Sequence, residues 1–305
     1  MSKINISKLK TLTGHKDCVY TLERSNEDHI FFSGAGDGMV VYWDLSGDDN
    51  GQLIAKLPNS VYGLHYLQSQ DLLVAGHNYD GVHLLDWRNK KEVGSLNMTQ
   101  SAIFDIQSVG DLLLVGDTSG TVTIINYKTM KIVYKIQDGD KSARAIAIND
   151  KSSEVAIGFS DNKVRIYNLE DFALKATLSS HSNSVFTVKY SRDEDVLISA
   201  GRDAHIMVWD VKSGYSQIQD IVAHMYAINN VEFSQDGKHF VTCSMDKSIK
   251  IWDAHAFKLL KVIDKARHAG HGTSVNKLLW TSYNDLLVSA SDDRTISVWD
   301  IEFNK

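Results

Sequence analysis

Four times along this chain a histidine, a hydroxyl residue and an aspartate recur in the same order: His15, Ser33 and Asp37; His181, Ser199 and Asp203; His224, Thr242 and Asp246; His271, Ser289 and Asp293. Such a trio is the equipment of nucleophilic hydrolysis, in which an imidazole takes the hydroxyl proton and a carboxylate orients the imidazole. A catalytic set is normally assembled once, from groups with different roles. Fourfold recurrence therefore argues for architecture, and Ser33, Ser199 and Ser289 are expected as buried hydrogen-bonding hydroxyls.

Other site chemistry finds little in the residue spacing. His268 and His271 are close in sequence and Cys243 lies apart from them, but no paired-cysteine motif or HExxH stretch is present. The run Gly34-Ala35-Gly36-Asp37-Gly38 reads as a turn between strands, with no phosphate-cradling helix or GKS/GKT sequence after it. No catalytic residue, metal ligand or cofactor site is assigned, and the chain is not expected to be an enzyme.

The elements that position these residues follow from a longer period. Each trio leads to a tryptophan, at Trp43, Trp209, Trp252 and Trp299, and three further units end on Leu85, Ile125 and Tyr167. Every unit is a series of short apolar strands broken by Gly, Asp, Ser or Asn, without room for a long helix. Units of about 40 residues built this way specify one four-stranded blade each. Residues 1–305 are expected to form one all-β, seven-bladed propeller domain. The last unit has room for only three strands, so the strand-like segment Ile6 to Leu12 is expected to pair with it and close the ring.

The strands MVVYWD (39–44), KVRIYN (163–168), HIMVWD (205–210), SIKIWD (248–253) and TISVWD (295–300), with the turns Gly14-His15, Ser180-His181, Ala223-His224 and Gly270-His271, resemble the WD40 repeat family over essentially the whole chain. The resemblance implies that His, Ser or Thr, Asp and Trp form a buried hydrogen-bonded set in blades 1, 5, 6 and 7. Blades 2, 3 and 4 depart from the pattern: Tyr79-Asp80 with Leu85, Ser119 with Ile125, and Asp161 with Tyr167. These three are expected to hold together mainly by apolar packing.

Function is then expected on a shared surface. The second residue of each innermost strand is Tyr20, Tyr62, Phe104, Arg144, Phe186, Asn229 or Asn276, and strand alternation should turn it toward the mouth of the central channel. Aromatic rings and arginine are the residues of protein-binding hot spots. The turns on the same face bring Arg202, Tyr226 and Met245, where Arg202 could clamp a carboxylate or a phosphorylated side chain. The expectation is a scaffold or adaptor that binds a protein or peptide partner, acidic or phosphorylated, within a multiprotein complex.

Three lesser signals complete the reading. Leu85-Asp86-Trp87-Arg88 partly resembles the Trp-Asp-any-Arg motif of substrate receptors for cullin ubiquitin ligases, a role kept as an alternative. The longest interval adds Lys265 to Gly270, expected as a mobile, solvent-facing insertion, and Ser46 to Gly51 is expected as a plain turn on the opposite face.

A net charge of −6, from 32 Lys and Arg against 38 Asp and Glu, opposes nucleic-acid binding, and an RNA-associated role is kept only as a minor alternative. No apolar run approaches the roughly 20 residues that cross a bilayer. The N-terminal residues lack a secretory signal's apolar core, so a cytoplasmic or nuclear location is expected. Cys18 and Cys243 lie in different repeats and are expected as free thiols.

Overall fold

The computed structural model describes residues 4–303. It contains seven antiparallel four-stranded sheets arranged as blades of a β-propeller. Six blades use consecutive strands, the innermost first in sequence. In the seventh, Val275–Trp280, Leu287–Ser291 and Ile296–Phe303 are completed on the outside by the N-terminal strand Ile4–Leu12. That strand pairs from Ile4 with Phe303 to Leu12 with Ile296, so the two ends of the chain share one sheet.

The core lies between the blades. Seven apolar clusters occur among the described residues, each drawn from two neighbouring blades. The middle strands must therefore be apolar on both faces, as Ile30–Ala35 shows, buried at every position. Its adjacent rings face opposite ways: Phe31 packs into the seam with blade 7, and Phe32 into the seam with blade 2. Burying one such ring contributes about 1.5–3 kcal/mol.

The recurrent polar sets form as the resemblance implies. In blade 5 His181 Nδ1 lies 2.8 Å from Asp203, its Nε2 lies 2.7 Å from Ser199 Oγ, and Trp209 Nε1 donates to the same oxygen over 2.9 Å. The same connections recur around Ser33, Thr242 and Ser289. The geometry is that of a hydrolytic triad, but Ser33, Ser199, Thr242 and Ser289 are fully buried. No substrate reaches these hydroxyls, and their work is to pin a turn to a strand.

Blades 2 to 4 are less apolar than expected, because other polar sets replace the missing one. In blade 4 the Tyr167 hydroxyl donates to Asp138 over 2.8 Å, and Asp161 accepts a bidentate pair from Arg165. In blade 3 Asp117 accepts from Thr99 and Ser119. In blade 2 His77, Asp80 and His83 meet at the top turn, and at the opposite end of the blade Asp71 accepts from Tyr66, Trp87 and Arg88.

The 265–270 segment is also more ordered than expected. Lys265–His268 forms one helical turn capped by Asp264, which accepts from the Arg267 backbone N–H and pairs with its guanidinium. Lys8 of the closing strand donates to the Ala269 carbonyl over 3.0 Å, tying the turn down. Ser46 to Gly51 is a turn built on Asp44 and held by Lys10, which pairs with Asp49 over 2.9 Å.

Candidate partner-binding face

All seven second-position residues line one central cavity of about 540 Å³. Simple alternation is not what aims them. In blades 1 and 3 to 7 the ladder skips that position, so that Val19 opposes Ala35 and Thr21 opposes Gly34 while Tyr20 is unpaired. Phe104, Arg144, Phe186, Asn229 and Asn276 are skipped in the same way. A bulge of this kind leaves one residue free of the ladder and re-aims its side chain. In blade 2 the paired strand starts only at Leu64, so Tyr62 reaches the mouth from the segment preceding it.

Collar residues lean on their neighbours from blade to blade. The Tyr20 and Tyr62 rings lie 4.6 Å apart, and Tyr62 and Phe104 5.9 Å apart. The Arg144 guanidinium sits between Phe104 at 4.0 Å and Phe186 at 4.3 Å, a doubled cation–π contact. Asn229 continues the series by donating to the Val275 carbonyl over 2.8 Å. The result is an aromatic and cationic arc over blades 1 to 5, closed by two amides.

Charge at this mouth is unbalanced. Burial pulls the Arg144 guanidinium down to about 10, which still leaves it protonated at neutral pH, and the nearby Arg202 adds to the fall. Among the described residues neither Arg144 nor Arg202 has a carboxylate within ion-pair distance. Arg202 is exposed in its turn, its backbone N–H fixed to the Ser184 carbonyl over 2.8 Å.

Beside it the turns of blades 5 and 6 expose Val222, Met225, Tyr226 and Met245, with Met225 82% exposed. Two contacts join these turns: the Met245 N–H donates to the Ala227 carbonyl and Ser244 Oγ to the Tyr226 carbonyl. Tyr226 and Met245 were legible as face residues. Val222 and Met225 were missed, because a lone apolar residue next to the turn histidine reads as core.

Below the collar the lumen turns ionic. Glu232 takes Lys189 at 2.8 Å and Arg24 at 2.9 Å, bridging blades 5, 6 and 1. Burial pushes Glu23 up to about 7, against the pull of Arg24, Lys277 and Lys189. Asp105 accepts the Ile146 N–H of the neighbouring blade over 2.8 Å. Burial also pushes His65 down to about 4, so it stays neutral and bonds Ser108.

Arg88 lies on the opposite face and is paired with two carboxylates. Its guanidinium stacks on Trp87 at 4.2 Å, bonds Asp71 at 2.7 Å and pairs with Glu27 of blade 1. On the top face of blade 2 the structure brings together His77, Asp80 and His83, a set with metal-ligating chemistry that the search for paired cysteines and HExxH could not detect. The pattern His-x-x-Asp-x-x-His across a strand, turn and strand was its signal.

Comparison with known proteins agrees with this anatomy. The family profile described as "WD domain, G-beta repeat" matches residues 6–44, 172–210, 215–253 and 262–300. These segments hold the terminal strands of the four blades with the complete polar set; blades 2 and 3 fall outside them, and of blade 4 only the outer strand Leu174–Leu178 falls within. The chain is similar to the WD repeat-containing protein 91 homolog of Dictyostelium discoideum, 22% identical over 68% of this chain and 28% of that protein. It is similar also to WD repeat-containing protein 1 of Xenopus tropicalis, 26% identical over 71% of this chain and 36% of that protein. The 66 kDa stress protein of Physarum polycephalum is 25% identical over 96% of this chain and 48% of its own length. The chain thus spans about half or less of each of these relatives. No helix among the described residues is long and apolar enough to cross a membrane.

Proposed function

This chain belongs to the WD40 family, and on that premise we propose that it is an interaction scaffold whose top entrance holds a segment of a partner protein and anchors an acidic or phosphorylated side chain. The observation that carries this reading is Arg144, a half-buried cation stacked between Phe104 and Phe186 with no carboxylate partner among the described residues. A guanidinium held by its faces keeps its edge N–H groups for a planar or tetrahedral anion, which it takes with two parallel hydrogen bonds. Arg202 supplies the second cation. Tyr20, Tyr62, Phe104 and Phe186 give the apolar anchors, and Tyr226 and Met245 extend them outward.

The test compares affinity capture from native extract by the wild type and by a folded Phe104→Ala/Arg144→Ala variant, with quantitative mass spectrometry. A partner lost only from the variant is then narrowed to a peptide and titrated by fluorescence anisotropy with and without its acidic or phosphorylated group. Loss of that group should weaken binding to the wild type by about tenfold or more and leave binding to Arg144→Ala nearly unchanged. An identical partner set for both proteins would reject the entrance as the main site.

A further inference from the structure

Blade 2 lacks the recurrent polar set, and its top turn has become something else. Ala75 stands in the ladder where blade 1 has Ser33, and Leu85 where blade 1 has Trp43. The turn joining Leu72–His77 to Gly81–Asp86 carries its left-handed residue at Tyr79, with a φ of 67°. Asp80 follows directly and its carboxylate meets two imidazoles. His77 Nδ1 lies 3.1 Å from His83 Nε2 and 3.2 Å from Asp80 Oδ2, and His83 Nε2 lies 3.5 Å from the same oxygen.

These three edges form a nearly equilateral triangle of donor atoms. Zinc bound tetrahedrally by nitrogen and oxygen at about 2.0–2.1 Å requires neighbouring ligand atoms to stand roughly 3.3 Å apart. The observed spacings bracket that value. We infer that His77, Asp80 and His83 form a binding site for a divalent transition-metal ion, zinc first among them, on the top rim of blade 2.

The surroundings are those of a metal site. His83 Nδ1 lies 2.7 Å from Glu92 Oε2, so the carboxylate takes the Nδ1–H and leaves the Nε2 lone pair facing the triangle. A carboxylate behind a ligating imidazole orients the ring and raises its basicity. Asp80 is held in turn, its second oxygen accepting from the Asn97 side-chain amide and its backbone carbonyl from Met98 N–H over 2.8 Å. The His77 and His83 side chains are 10% and 13% exposed and Asp80 34%, so the carboxylate side leaves room for water as a fourth ligand. Two imidazoles with a single carboxylate suit zinc, copper, nickel or cobalt and not the oxygen-seeking magnesium and calcium.

The rival account is a hydrogen-bonded network, with His77 Nδ1–H shared between Asp80 and His83, and titration separates the two. Protein stripped with EDTA and desalted is titrated with ZnCl2 in competition with a chromophoric chelator, alongside His77→Gln, His83→Gln and Glu92→Gln. The wild type should take up one equivalent that each histidine variant loses. Glu92→Gln keeps the ligands and should weaken binding about 10- to 100-fold. Loaded with Co2+, the wild type alone should show the intense visible bands of a low-coordinate ion, a readout that survives any folding defect in the variants. Zinc uptake no greater than that of a folded His77→Gln/His83→Gln double variant, or a Co2+ spectrum like that of the aqua ion, would overturn the proposal.

Discussion

The side-chain amide of Asn276 donates to the backbone carbonyl of Val19 over 3.0 Å, carrying the last blade onto the first at the inner rim of the ring. At the outer rim the same two blades are joined by Ile4–Leu12 lying along Ile296–Phe303. Deleting residues 1–12 removes the outer closure. It exposes a bare strand edge and takes the buried side chains of Ile4 and Leu12 from the core, about 3–6 kcal/mol of burial in all. The expected result is a marked fall in melting temperature with lost amide protection along Ile296–Phe303, read by hydrogen exchange. Unchanged protection there would contradict closure by this strand.

Thr242 Oγ1 serves two buried groups at once, His224 Nε2 at 2.7 Å and Trp252 Nε1 at 2.9 Å. Thr242→Val keeps the shape and orphans both, each at about 1–3 kcal/mol. Tyr167→Phe in blade 4 removes a hydroxyl whose partner, Asp138, is exposed and readily hydrated, so it should cost about 1 kcal/mol or less. Urea unfolding of the two variants should rank them in that order, and equal losses would refute the difference.

Glu23 makes stability pH-dependent between 4.5 and about 7. Burial pushes its carboxyl from an ordinary 4.5 up to about 7, so between those values the folded chain keeps a proton that the unfolded chain has released. Folded protein then binds more protons, and stability falls as pH rises. The contribution is whole below 4.5 and is lost through about 7. Glu23→Gln should therefore gain stability relative to wild type as pH rises through this range and hold a constant difference above it.

The blade aspartates act at lower pH. Burial opposes their ionisation, but donors from His224, Ser248 and the Met225 N–H hold Asp246 well below its ordinary 3.8, and Asp37, Asp203 and Asp293 are likewise depressed. Their contribution is present above 3.8 and lost as pH falls below it. Chemical denaturation across the pH range checks both windows, and a flat difference between Glu23→Gln and wild type would remove the first.

Arg88 joins blade 2 to blade 1 through Glu27 and covers Trp87. Its side chain is 46% exposed, so Arg88→Ala should cost only about 1 kcal/mol or less. The same variant tests the ligase-receptor alternative. With its guanidinium spent on Asp71 and Glu27, the substitution should leave any association with a ligase adaptor unaltered in co-purification, and loss of such an association from a folded variant would reopen that role.

The repeat was readable because each blade solves the same local problem with the same residues. Trp209, Ser199, Asp203 and His181 stand at fixed offsets, and hydrogen-bond chemistry leaves one sensible way to join them. Blades 2 to 4 were read less well, because their substitutes use other residue types: in blade 4 Asp138 stands close to the turn-histidine position and Tyr167 at the Trp position, a pair that matches no recurrent motif. The collar was located by counting, yet the reason given was incomplete: a bulge, and not strand alternation alone, aims Phe104 and Arg144 inward.

Sequence alone determined the seven-bladed ring, the closing strand and the identity of the residues around the channel, since strand period and the recurrent polar set are local properties of the chain. Only the tertiary structure decided that Arg144 is clasped by rings from the blades on either side, and that His77 Nδ1, Asp80 Oδ2 and His83 Nε2 lie within 3.5 Å of one another. Those relations depend on the angle between neighbouring sheets and on the hand of a single turn. The angle is set by how the whole ring packs and closes, and the hand of the turn by the left-handed Tyr79, which the His-x-x-Asp-x-x-His spacing by itself does not give.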